Sequence, residues 1–190
     1  MKVEKTVLDG VFLINPLVYG DSRGFFFESY HAERYKKMGI QPNFVQDNIS
    51  RSSKGTLRGL HYQLKHSQAK LLSVVSGSIY DVAVDIRVGS PTFGQWIGAI
   101  LNDENHHQLF ISEGFAHGFY VMSETADILY KCSNFYNPQD EHGLIWDDPN
   151  IGIHWPLLNR TPLLSKKDAT NLKLSDIDHE FLPTMENNKK

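Results

Sequence analysis

The sequence predicts an all-β domain, a sandwich or barrel such as a jelly roll, trimmed with a few short helices. Three observations predict it. Short apolar runs recur at regular spacing along most of the chain, and Gly, Asn, Asp, Ser or Pro punctuate them. The clearest run alternates Tyr80, Val82, Val84 and Ile86 with Asp81, Ala83, Asp85 and Arg87, the period-two pattern of a half-buried strand. Eleven Phe, eight Tyr and three Trp supply the flat, bulky side chains that pleated sheets pack well.

Taken in chain order, strands are expected over 11–14, 24–28, 71–75, 80–87, 95–101, 108–111, 118–122 and 128–132. One helix is expected over 30–38, with Ser29 as its N-cap and Gly39 ending it. Past Pro156 strand signals thin out, and 172–181 reads as a short helix. There is no repeat and no linker. Residues 1–183 therefore read as one domain, with 184–190 as a loosely attached tail that ends in MENNKK.

The 190 residues are enough to bury a substantial core, and 41% hydrophobic with 22% charged residues is ordinary for a globular chain. A net charge of -3 argues against a general polyanion binder, so nucleic acid is not an expected partner. A small anionic ligand needs only a local Arg/Lys cluster. Cys132 is the single cysteine, which excludes an intramolecular disulfide and a cysteine-based zinc site and fits a reducing compartment. MKVEKTVLDG lacks the apolar core of a signal peptide, and no apolar run reaches spanning length. A cytoplasmic protein without a membrane partner is the expectation.

The stretch RGLHYQ, residues 58–63, carries most of the chemistry, with an arginine, a histidine, a tyrosine and a glutamine between two apparent strands. A metal site on a jelly roll calls for two histidines one residue apart on a strand. Here the residue two places after His61 is Gln63. His66 lies at an odd spacing from His61, and the adjacent His106 and His107 would diverge in a strand. No metal is expected. The remaining choices for His61 are an ordinary sheet histidine or a general base. Arg58, Lys65, His66 and Lys70 crowd around it, FAHGF brings His117, and LSKKD offers a carboxylate that would fix its tautomer. Spacing alone does not show that these groups meet.

QDNISRSSKGTLRGLHYQ, DVAVDIRVGSPTFGQW, EGFAHGF, WDDPNIGIHWP and LSKKD closely resemble, in consistent order, the dTDP-4-dehydrorhamnose 3,5-epimerase family. The resemblance runs from DSRGFFFES to LSKKD, nearly the whole chain. It implies a cupin-like jelly roll (double-stranded β-helix), a homodimer, and no metal or organic cofactor. The substrate it implies is a nucleotide diphospho-4-keto-6-deoxyhexose, inverted at both carbons beside the ketone to supply the activated precursor of L-rhamnose.

By that resemblance His61 is the base, Asp168 its orienting carboxylate, Tyr130 the acid on the opposite face of the sugar, and Lys70 the cation near the enolate. The family pattern also places Arg23, Glu28, Gln46, Asn48 and Arg58 at the nucleotide end. Arg58 there grips the diphosphate, because its planar fork matches phosphate oxygens. Phe26 or Phe27 would stack on the base, and His117, Glu141 and Lys167 would line the remainder of the site. The plainer readings are a solvated pair for Arg23 and Glu28, turn caps for Gln46 and Asn48, and structural roles for Asp81 and Asp85. Ser73 and the pair Ser112-Glu113 depart from the family pattern, though not at acid–base positions.

In an unbroken strand Arg58 and His61 would face opposite sides; a bulge at Gly59 would turn both into one pocket. If the N-terminal strands extend a partner's sheet, Arg23, Phe27 and Glu28 serve the neighbour's site. Three rivals stay open. The first is a 3- or 5-monoepimerase of a related nucleotide 4-keto sugar, and the second a non-catalytic sugar-nucleotide-binding cupin. The third is a metal-dependent cupin enzyme.

Overall fold

The computed structural model describes residues 1–157 and 161–185. Two antiparallel sheets face each other. Writing strands in chain order, the six-stranded sheet runs β1 (Lys2–Lys5), β2 (Val11–Asn15), β10 (Gln108–Ile111), β7 (Lys70–Ser76), β12 (Thr125–Cys132), β5 (Gln46–Ser53). The five-stranded sheet runs β13 (Glu141–Gly143), β6 (Leu57–Gln63), β11 (Phe115–Val121), β8 (Ser78–Asp85), β9 (Trp96–Asn102). A separate hairpin pairs β3 (Val18–Asp21) with β4 (Gly24–Phe27). The all-β expectation holds.

The core follows from strand alternation. Val11, Leu72, Val74, Leu109 and Ile111 of the first sheet meet Ile79, Ala83, Leu101, Phe119 and Val121 of the second. Each Val, Leu, Ile or Phe among them contributes about 1.5–3 kcal/mol when fully buried. The run over 80–87 is more buried than its alternation predicts. Val82, Val84 and Ile86 point out of the sandwich, yet Leu144, Ile151, Leu174 and Leu182 from the C-terminal part of the chain cover them. A strand that is half-buried within its own sandwich thus becomes buried on both faces.

The single α-helix among the described residues, α1, spans Ala32–Lys37. It begins two residues later than expected, with His31 rather than Ser29 at its N-cap. Ser29 is held elsewhere, its carbonyl accepting from the Tyr35 hydroxyl at 3.0 Å and from Gln108 Nε2 at 2.8 Å. Gly39 closes the helix as expected, with φ +92 and its N–H on the Lys36 carbonyl. Tyr35 of α1 packs with Ile14, Leu71 and Phe110 on the outer face of the first sheet. The helix expected over 172–181 is two short 3₁₀ turns, Leu174–Asp176 and His179–Phe181. Of the expected tail, Thr184 bridges Val88 and the Met185 N–H donates to the Val88 carbonyl; 186–190 lie outside the described residues.

Two strands that carry the site escaped the apolar pattern. β5 exposes Asp47, Ile49, Arg51 and Ser53, while Gln46, Asn48, Ser50 and Ser52 turn inward. Its inner face is polar because it borders a cavity rather than the core. β6 contains the RGLHYQ stretch, which is a strand in its own right rather than a link between two.

Candidate active site

The geometry of β6 decides the site. In its antiparallel pairing with β11, Leu57 lies opposite Tyr120, Arg58 opposite Phe119, and His61 opposite His117. Three steps along β6 therefore match two steps along β11, a two-for-one irregularity of the bulge type. His117 and Phe119 share a face because they are two apart, and the extra residue puts Arg58 and His61 on that same face. Gly59 makes it possible: its φ is +115, and a Cβ there would sit 2.6 Å from Gly118 Cα and the His117 carbonyl oxygen. The bulge anticipated at Gly59 is present. The Gly59–Leu60 peptide is cis.

Both side chains open into a cavity of about 610 Å³ between the two sheets. Arg58, His61 and His117 come from the second sheet, and Lys70 and Leu72 from β7. Tyr130 and Cys132 come from β12, and Gln46, Asn48 and Ser50 from β5. Glu141 opens β13, while Lys167 and Asp168 sit at the start of a short 3₁₀ turn, Asp168–Thr170.

His61 Nε2 and Asp168 Oδ1 are 2.5 Å apart. The Asp168 side chain is 4% exposed against 27% for His61, so the carboxylate backs the ring from the protein side. The Ser165 hydroxyl accepts from the Asp168 N–H at 3.0 Å and fixes the turn. Burial by itself would raise the Asp168 carboxyl. The bond to His61, that ring's charge, Ser165 and the Gly59 backbone outweigh it and hold the group below its usual value. An ionised Asp168 accepts a hydrogen bond from His61 Nε2–H, which leaves the imidazole lone pair on Nδ1. Glu141 Oε1 stands 3.8 Å from that nitrogen.

Glu141 is in turn held by Lys167 at 2.5 Å and by the Tyr136 hydroxyl at 2.9 Å, both on Oε2. Burial would raise this carboxyl too, but Lys167, the charge of His61 and Tyr136 bring it below the usual value. Across the cavity, burial pushes the Tyr130 phenol up, and the neighbouring Cys132 and Glu141 add to that, with Arg58 opposing. It is a proton donor at neutral pH. Burial pulls the Lys70 ammonium down, while Cys132, Glu141 and Asp81 act to keep it charged. His117 gives its Nε2 to Asp81 Oδ1 at 2.7 Å, and burial lowers its tendency to protonate. Such an arrangement can take a proton from one side of a small molecule, hold negative charge in the middle, and return a proton from the other side.

Ten of the thirteen residues expected in the site thus line one cavity: His61, Tyr130, Asp168, Lys70, Gln46, Asn48, Arg58, His117, Glu141 and Lys167. Gln46 and Asn48 do not cap a turn; they lie two apart on β5 and bond to each other at 3.0 Å. Arg58 is oriented by Ser52, whose hydroxyl accepts from Nε at 3.0 Å. Arg23, Phe27 and Glu28 do not reach the cavity, because they lie on or just after the hairpin β3–β4, which belongs to neither main sheet. Arg23, its side chain 88% exposed, pairs with Asp21, and Glu28 pairs with Arg34. The Phe27 ring stacks on His106 at 4.9 Å.

Sequence reasoning missed Tyr136, Gln68, Ser50 and Ser165 at the cavity wall. It also passed over the contact of Asp81 with His117. The one usable signal was the two-residue spacing of Gln46, Asn48 and Ser50, which marks one face of a strand. Among the described residues no three of His, Cys, Asp and Glu gather as a metal-holding group.

Comparison with known proteins gives the family. The family model for dTDP-4-dehydrorhamnose 3,5-epimerase matches residues 5–176. The chain belongs to this family. It is 49% identical over 179 residues to the dTDP-4-dehydrorhamnose 3,5-epimerase of Pseudomonas aeruginosa, covering 94% of this chain and 98% of that one. It is 53% identical over 168 residues to the Neisseria gonorrhoeae enzyme of the same name, and there it spans 51% of the relative's length. Among solved structures, the dTDP-6-deoxy-D-glucose-3,5-epimerase RmlC of Legionella pneumophila, in complex with dTDP-4-keto-L-rhamnose, superposes with a TM-score of 0.94. Identity there is 52%, with 97% and 98% of the two chains covered. ChmJ, a 3'-monoepimerase from Streptomyces bikiniensis in complex with dTDP-quinovose, superposes with a TM-score of 0.87 at 33% identity, covering 94% and 91%. Family membership thus fixes the β-rich architecture and the epimerase class, and one structural neighbour is a 3'-monoepimerase.

Proposed function

We propose that the chain is a cofactor-independent isomerase that inverts C3 and C5 of dTDP-4-dehydro-6-deoxy-D-glucose to give dTDP-4-dehydro-L-rhamnose. The observation that carries this reading is the convergence of the His61–Asp168 pair, Tyr130 and Lys70 on one cavity. His61 Nδ1 removes the hydrogen beside the ketone as a proton. The C–H electron pair moves into a C=C bond and the carbonyl π pair onto O4. Lys70 stabilises the enolate oxygen so formed, a kind of contribution that reaches about 3–4 kcal/mol for a single donor. Collapse of the enolate takes the Tyr130 hydroxyl proton from the opposite face and inverts the carbon. Solvent exchange resets the imidazolium and the phenolate before the second inversion. Positioned acid–base groups of this kind are worth about 10²–10⁴-fold in rate.

Arg58 is assigned to the diphosphate, Gln46 and Asn48 to the nucleoside, and His117, Glu141 and Lys167 to the sugar end. Arg23, Phe27 and Glu28 are assigned to the cavity of a second copy. Their place on a projecting hairpin, where Tyr19, Phe25 and Phe26 are each more than 60% exposed, supports a homodimer that completes each site with its neighbour's arm. Residues 1–183 act as one catalytic domain. A cytoplasmic enzyme without nucleic-acid or membrane partners fits the net charge of -3. No helix among the described residues is long and apolar enough to cross a membrane.

The likeness to a 3'-monoepimerase favours one second reading, inversion at a single carbon of the same class of substrate. One assay separates the two. Incubation of the 4-keto sugar nucleotide in deuterated water places deuterium at C3 and C5 under the first reading and at one of them under the second. No exchange at either carbon overturns both.

A further inference from the structure

Asp81 is a carboxylate for which the mechanism above has no use. It lies on the inward face of β8 between Ile79 and Ala83 and is fully buried. Oδ1 accepts from His117 Nε2 at 2.7 Å, and Oδ2 has no hydrogen-bond partner among the described residues. A buried imidazole N–H is satisfied by any carbonyl or amide oxygen. A carboxylate with an orphaned oxygen is a costlier choice, and an opposing cation is what offsets it. The cation available is Lys70, which lines the cavity together with His117 and enters it from the facing sheet.

We propose that Asp81 is a positioning residue of the reaction: it fixes the His117 ring with Nδ1 as an acceptor, and it gives Lys70 a negative neighbour. This rests on the epimerase reading. The ionisable groups around Lys70 are Cys132, Glu141 and Asp81, and those around His117 are Asp81, Lys70 and His61. Glu141 is already neutralised by Lys167, and Cys132 is a buried thiol that resists ionisation. Asp81 is the carboxylate of this group that no Lys or Arg pairs with among the described residues, and it joins Glu141 in holding the ammonium charged while no enolate is present. Burial pulls the Lys70 ammonium toward its neutral form, and Asp81 opposes that pull.

The experiment is the pH profile of deuterium incorporation into the 4-keto sugar nucleotide, with kcat and KM separated, for the full-length protein and two variants. Asp81→Asn removes the charge and keeps the shape. Its alkaline limb should move down by about one pH unit or more, because an ammonium without its anion loses its proton sooner. KM should change much less than kcat. His117→Asn keeps the buried charge, so its alkaline limb should stay at or above that of the wild type even as turnover falls. A profile for Asp81→Asn that superimposes on the wild type overturns the proposal, as does a downward shift for His117→Asn. The second outcome remains decisive if Asp81→Asn fails to fold. A wild-type protein that exchanges no deuterium overturns the epimerase reading itself, which keeps the two failures distinct.

Discussion

His61 stands directly opposite His117 in the register of β6 and β11, and each ring leans on a buried carboxylate of its own, Asp168 and Asp81. The two pairs differ in exposure. The His61 side chain is 27% exposed and looks into the cavity, whereas His117 is 9% exposed and sits deeper. The reachable pair suits proton transfer, and the deeper one suits orientation.

Replacing His61 with Asn should abolish deuterium incorporation while leaving binding of the nucleotide diphosphate within about threefold, since general-base catalysis and binding draw on different groups. Replacing Asp168 with Asn should lower kcat by about 10²-fold or more, because an amide can present its NH₂ and favour the wrong imidazole tautomer. Exchange kinetics with isothermal titration checks both, and exchange at the wild-type rate in the His61 variant refutes its role as base.

For Tyr130→Phe, net epimerisation should fall further than the initial uptake of deuterium. Removal of the substrate proton does not need the phenol, whereas delivery to the opposite face does. Burial keeps this hydroxyl protonated, so the wild type should retain its donor well above neutral pH. Equal loss of both steps would make Tyr130 a positioning group instead.

Lys70→Met should cost about 10²–10³ in kcat through loss of enolate stabilisation. The change also removes the cation that faces the buried Asp81 carboxylate, so folding stability should fall rather than rise. Urea unfolding alongside turnover checks both; a variant with the turnover of the wild type would contradict the role in enolate stabilisation.

Gly59→Ala should destabilise the fold by about 1–3 kcal/mol, given its φ of +115 and the 2.6 Å approach to the Gly118 backbone. Activity should fall in the fraction that remains folded, since relief of the clash reopens the register that puts Arg58 and His61 on one face. A variant of wild-type stability and activity would show that the bulge tolerates a side chain.

Acid sensitivity should track Asp85. Burial would raise its carboxyl, but Arg87, Ser90 and Thr92 bond to it and hold it below the usual value. A carboxyl depressed in the folded state stabilises fully above its unfolded value of about 4 and loses that contribution as the pH falls through the folded value. Asp85→Asn should therefore be less stable near pH 7, by about 3–5 kcal/mol as for other broken buried pairs. It should also show a flatter decline below pH 4. Thermal unfolding across that range gives the answer.

Most strands were legible because their apolar alternation survives in one dimension; the residues 108–111 match β10 without adjustment. β5 was not legible, since polar side chains on its inner face border a cavity, and hydrophobic periodicity is silent there. The helix start was misplaced because Ser29 spends its carbonyl on Tyr35 and Gln108, a contact spanning 79 residues that local capping rules do not see.

The amino-acid sequence by itself determined the fold class, the family, and most of the side chains that line the cavity. The meeting of those side chains belongs to the tertiary structure. An added residue in β6 reverses which way Arg58 points relative to His61, and Asp168, 107 positions away, arrives on a short turn behind the imidazole. Periodicity reports which face a residue takes within one strand; register and long-range closure decide which strands share that face.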